Sequence, residues 1–128
     1  MDISLRTGDP RNGIELLEIV REDGGWSFGM RLVVRSDGLA ADRPFWIERL
    51  HLAELLTALK AMDRTLTGSA RLQGNEPDRV TLEATRTGAI VVAGEIGIDP
   101  QNWLRFSFAT DQTCLKPLVS DLERLLSR

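Results

Sequence analysis

Between Trp26 and Val34 the chain alternates without a break: Trp26, Phe28, Met30, Leu32 and Val34 are apolar, and Ser27, Gly29, Arg31 and Val33 fall between them. Period two is the repeat of a β-strand, whose successive side chains point to opposite faces, so this stretch predicts a long strand with one face in a core. Trp26 is in phase with that face and reads as core, while Arg31 and Arg35 fall on the other. Such a strand needs neighbours and a cover. The cover is signalled by Leu52, Leu55, Leu56, Leu59 and Met62, one stripe of a helix of about three turns, with Glu54, Thr57 and Lys60 outside it.

Turn residues divide the rest. A short alternating segment, Ile3 to Leu5, runs into Thr7-Gly8-Asp9-Pro10-Arg11-Asn12-Gly13, a dense turn signal. Ile14 to Arg21 reads as a strand in which Leu16 and Leu17 face opposite ways unless a bulge intervenes. Glu22-Asp23-Gly24-Gly25 is a hairpin turn before the long strand, and Ser36-Asp37-Gly38 is a turn after it. Beyond an exposed loop, Pro44 to Ile47 is a shorter strand. After the helix, Leu66 to Leu72 and Val80 to Thr85 are strands joined by a turn over Gln73 to Asp78.

The last forty residues predict a strand from Ala89 to Ile98, a turn over Asp99-Pro100-Gln101-Asn102, and a strand from Trp103 to Ala109. Ile90, Val92, Ile96 and Ile98 share a face with Gly94, where a neighbour approaches closely or the strand bends. Leu115, Leu118, Val119, Leu122, Leu125 and Leu126 define an amphipathic helix, but Pro117 is tolerated only in a first turn. The helix therefore starts near Lys116, and Asp111 to Cys114 forms a structured turn. The fold class is α+β: antiparallel sheet of about seven to eight strands, as an open sandwich, with two packed helices, in a single domain over residues 1–128. The Trp26 strand and the closing strand pair are placed at its centre. No internal repeat is visible.

Composition removes several functions. Acidic residues number 19 against 16 basic, a net charge of −3, without the Lys/Arg cluster that phosphate contacts need, so nucleic acid is not an expected partner. The same balance suits a basic protein partner. One cysteine, Cys114, excludes an internal disulfide and a zinc knuckle, and points to a reducing compartment. The amino-terminal residues lack a signal-peptide pattern and no apolar run approaches a membrane span, so the expected localisation is cytoplasmic, with no membrane partner.

Catalytic signals are sparse. His51, the one histidine, lies between Glu48 and Glu54 at the start of the first helix, far from an HExxH pattern. Cys114 has no base near it in sequence and sits where a cysteine acts as a small hydrophobe. Ser69, Ser107 and Ser120 lack a nucleophile elbow, and the glycines form no phosphate loop, so the expectation is no enzyme, no cofactor and no metal. Binding is the better-supported class. Trp103 is out of phase with Leu104, Phe106 and Phe108, and with Trp46 it is a candidate interface residue, as tryptophan is enriched at binding hot spots. Arg31, Arg35 and Arg105 complete the candidate set, as a basic patch if their strands are neighbours. A carrier with an apolar cavity between sheet and helix is the alternative function.

The run Leu82-Glu83-Ala84-Thr85, Gly88, Ile90-Val91-Val92-Ala93-Gly94, then Leu104-Arg105-Phe106-Ser107-Phe108-Ala109-Thr110-Asp111-Gln112-Thr113 and a Leu-rich helix, resembles the WapI-type immunity proteins and related small bacterial domains. The preceding hairpin, long strand and Leu52–Met62 helix fit the same order. The resemblance implies a non-enzymatic binding module that protects a bacterium by covering a cognate toxin. It implies no particular contact residues. The Asp111-Gln112-Thr113 corner, its most distinctive piece, reads as architecture, because Asp and Thr hydrogen-bond local backbone.

Overall fold

A computed structural model describes residues 1–74, 77–99 and 101–128. It contains β1 (Ile3–Arg6), β2 (Gly13–Glu22), β3 (Ser27–Ser36), β4 (Leu39–Glu48) and α1 (Arg49–Thr65), followed by β5 (Ser69–Gln73), β6 (Arg79–Ala84), β7 (Ala89–Asp99), β8 (Asn102–Asp111) and α2 (Leu115–Leu126). The strands form two four-stranded antiparallel sheets, ordered β1-β2-β3-β4 and β5-β6-β7-β8. The order of four strands and a helix thus occurs twice, a repeat of architecture that the residues themselves do not display.

Each helix reaches across to the other half: α1 packs on β5 and α2 on β1, with α1 and α2 also in contact. The sheets meet through β4 against β7 and β3 against β8. One apolar cluster takes in both sheets and both helices, with Phe28, Leu32, Phe45, Leu52, Leu59, Ile90, Leu115 and Leu122 among its buried members. The Trp26 strand and the closing pair therefore belong to different sheets. β3 and β7 lie inside their sheets, whereas β8 is a terminal strand.

Local chemistry explains the elements. The bulge expected in β2 occurs between Leu17 and Val20, where Glu18 takes φ 54° and the register to β3 slips. Asp37 (φ 50°) and Gly38 (φ 87°) turn β3 directly into β4, so the stretch expected as an exposed loop before Pro44 is strand, paired from Ser36↔Leu39 to Ser27↔Glu48. Leu66 lies outside β5: it ends α1 in the left-handed region (φ 57°), its N–H bonded to the Met62 carbonyl at 2.7 Å. α1 is longer than its apolar stripe, and Leu56 is only partly buried.

Pro117 sits in the first turn of α2, where its missing N–H costs no helix bond, and Asp111 accepts from the Thr113 N–H at 2.9 Å in the short 3₁₀ turn before it. Gly94 is where a neighbour approaches: a Cβ there would stand 2.3 Å from the Arg79 carbonyl and 2.9 Å from the Phe106 ring. Of the expected turns, Asn75, Glu76 and Pro100 lie outside the described residues, as does the side chain of Ile98.

Trp26 corrects the sequence reading. It precedes β3 and is 79% exposed, because the 3₁₀ turn Asp23–Gly25 redirects the chain and the buried face begins at Phe28. The backbone there is tied to α1, with Arg49 N–H donating to the Trp26 carbonyl at 2.8 Å and the Arg49 guanidinium 5.0 Å over the Phe28 ring.

Candidate protein interface

Trp46 and Trp103 come from different sheets and line one surface groove of about 390 Å³. Each has a glycine opposite it on the neighbouring strand: Trp46 is paired with Gly29 and Trp103 with Gly97. A Cβ at Gly29 would stand 2.6 Å from the Glu22 carboxylate and 3.2 Å from the Trp46 indole nitrogen, and one at Gly97 3.4 Å from Asp78 Oδ1 and 3.5 Å from the Trp103 ring, so each glycine leaves room for the indole beside it. Both tryptophans are partly exposed, at 41% and 46%.

Arg43 and Pro44 from β4, with Pro77 and Asp78 ahead of β6, form the rest of the wall. Arg43 shares the parity of Ala41, Phe45 and Ile47 on β4, so its stem points to the buried side, and its Nε is buried without a hydrogen-bond partner. Asp78 is buried and accepts from the Gly97 N–H at 2.8 Å. Asp99, at the groove's end, accepts from the Gln101 and Asn102 N–H groups at 2.8 and 3.0 Å. The Asn102 amide, these backbone donors and the charge of Arg43 hold its carboxyl below the usual carboxylate range. Sequence reasoning missed Arg43; the signal available was an arginine in step with Ala41, Phe45 and Ile47.

The three arginines do not converge. Arg31 and Arg35 lie on β3 and Arg105 on β8, in different sheets, so the neighbouring-strand condition for a joint basic patch is not met. Each meets a carboxylate on its own sheet. Arg31 donates to Asp42 through Nε at 3.2 Å and lies 3.6 Å from Glu18; Arg35 pairs with Glu15; Arg105 Nε lies 3.0 Å from Glu95. The Arg31 hydrogen bond holds Asp42 below its ordinary range.

The larger groove, about 710 Å³, lies between β1–β2 and the start of α2 and holds Asp2, Glu15, Asp111, Asp121 and Cys114. Burial first, and the Asp111 charge second, push the Cys114 thiol up to about 11. That shift favours the protonated thiol at neutral pH. His51 is in a separate groove with Glu54 and Arg71, its Nδ1 buried without a partner. Among the described residues, no three His, Cys, Asp or Glu side chains group as metal ligands.

The apolar space between sheets and helices, bounded by Ile3, Leu5, Leu55, Leu72, Leu118 and Leu122, measures about 30 Å³. Ligand pockets run to roughly 300–1,000 Å³. No helix among the described residues is long and apolar enough to cross a membrane.

Two antiparallel sheets crossed by two helices define an α+β domain. The chain belongs to the WapI-like immunity protein family, whose profile matches residues 14–128. Comparison with curated proteins found no match. Among solved structures the fold is similar to a chain in the Trypanosoma brucei MRP1/MRP2 crystal structures, with a TM-score of 0.54, 12% identity, and 99% of this chain and 80% of that chain covered. At that identity the likeness is one of fold.

Proposed function

We propose that this protein is a non-enzymatic binding module that neutralises a cognate bacterial toxin by covering its working surface, acting in the cytoplasm. Family membership over residues 14–128 is the observation that carries the reading. Trp46 and Trp103 on one groove support it, since partly exposed tryptophans are enriched at binding hot spots and gain much from desolvation. Arg31, Arg35 and Arg105, with their carboxylate partners, form the charged surroundings that set approach and register. The net charge of −3 suits a basic toxin. The raised Cys114 thiol, set apart from His51, favours binding over chemistry.

The test is co-expression with a candidate toxin domain, sought first in the gene immediately upstream of this one. Growth is expected to be restored by the intact protein through a stoichiometric complex. Continued toxicity with the folded protein in molar excess would reject the proposal.

A further inference from the structure

β1, β4, β5 and β8 are the terminal strands of the two sheets, and the first three carry a device that closes the edge. β1 has four residues and lies along α2, β5 has five and lies along α1, and β4 carries Pro44, which has no N–H to offer a neighbour. β8 has ten residues and no proline, and its register with β7 is unbroken from Trp103 to Asp111.

The far end of that ladder fixes which backbone groups of β8 face outward. The Ala89 carbonyl accepts from the Thr85 N–H at 2.9 Å, and the Ala89 N–H donates to the Thr85 hydroxyl at 3.2 Å, so both groups point toward β6. Ala89 and Asp111 are thus a non-hydrogen-bonded pair. The alternation of an antiparallel ladder then turns the N–H and C=O groups of Trp103, Arg105, Ser107, Ala109 and Asp111 to the free side. Among the described residues these groups meet no hydrogen-bond partner, and all five residues are exposed.

Donors and acceptors in that spacing are satisfied by an extended chain. The row is also complementary to itself. Set antiparallel to a second copy with the twofold axis at Ser107, all five residues pair: Trp103 with Asp111, Arg105 with Ala109, and Ser107 with its own copy. Each Arg105 then lies diagonal to the Asp111 carboxylate of the other copy, and no like charges stand opposite. On the inner face Phe106 falls opposite Phe108, an aromatic cross-strand pair, and the partly buried Leu104 falls opposite Thr110.

We infer that β8 is a homodimerisation edge, on which a second copy of this chain pairs its own β8 antiparallel about Ser107 and joins two four-stranded sheets into one continuous sheet. The pairing does not depend on the toxin-binding reading.

Sedimentation of the full chain is expected to show a reversible monomer–dimer equilibrium in the micromolar range. Ser107→Pro removes an outward N–H and leaves the β7 ladder intact, and it is expected to weaken the dimer at least about tenfold. Ser107→Asp sets two carboxylates opposite each other at an exposed position and is expected to weaken it likewise; it serves alone where circular dichroism shows Ser107→Pro unfolded. Cysteine reads the register. Opposed residues of a hydrogen-bonded pair have Cα atoms about 5.5 Å apart, within disulfide reach, so Ser107→Cys is expected to crosslink as a dimer under oxidised glutathione. Ala109→Cys, which faces Arg105 rather than itself, is expected to run as a monomer on the same non-reducing gel.

The mass of a single chain at every concentration overturns the inference. So does a dimer that either folded Ser107 variant leaves unweakened, or crosslinking of Ala109→Cys equal to that of Ser107→Cys.

Discussion

At Gly94 a methyl group has no room. The site lies between Val80 and Phe106 in register, and added volume would force the Arg79 backbone or the Phe106 ring to move. Gly94→Ala is expected to destabilise the fold by about 2–3 kcal/mol, read as a lower urea midpoint at unchanged slope. Gly97→Ala, whose methyl would meet neighbours at 3.4–3.5 Å, should cost less than half as much.

Asp111 governs the acid limb at the same scale. The Thr113 hydroxyl first, and the Thr113 N–H second, hold its carboxyl below the usual range. A depressed folded value contributes stability that is present above the unfolded value near pH ~4 and is lost as pH falls through the folded one. Asp111→Asn should therefore flatten the loss of stability below about pH 4, measured as urea midpoints down the acid range. The strand-to-helix corner was legible in sequence because Asp, Thr and Pro act locally. The exposure of Trp26 was not, since it depends on where the preceding turn releases the strand.

Among the elements, α1 ends under strain. Leu66 holds φ 57°, a conformation that costs a side-chain-bearing residue roughly 1 kcal/mol, and it is 42% exposed, so its side chain returns only part of that through burial. Leu66→Gly is expected to raise stability by about 0.5–1 kcal/mol, seen as a higher urea midpoint. Period two across Leu66, Ala70 and Leu72 made this residue look like strand, and a helix stop in the left-handed region leaves no trace in hydrophobic period. β4 was shortened in the sequence reading for a related reason. Arg43 interrupts the apolar alternation of Ala41, Phe45 and Ile47, and the partner that makes Asp42 at home in a strand, Arg31, is distant in sequence.

Across the whole molecule, the halves exchange their covers. α1 shields β5 and α2 shields β1, so neither set of four strands keeps its apolar face buried by its own helix alone. Residues 1–66 and 67–128 made as separate polypeptides are expected to lack cooperative unfolding, whereas the full chain should unfold in one transition by both fluorescence and circular dichroism.

The sequence by itself determined the periods, the turns, the antiparallel pairing, the two helices and the family resemblance, because each is written in neighbouring residues and their local hydrogen bonds. Tertiary structure alone decided the division into two sheets, the crossing of the helices and the meeting of Trp46 with Trp103 beside Arg43. Those juxtapositions join residues far apart in the chain. They follow from burying one shared core, whose free energy depends on total apolar surface and shape rather than on any local pattern.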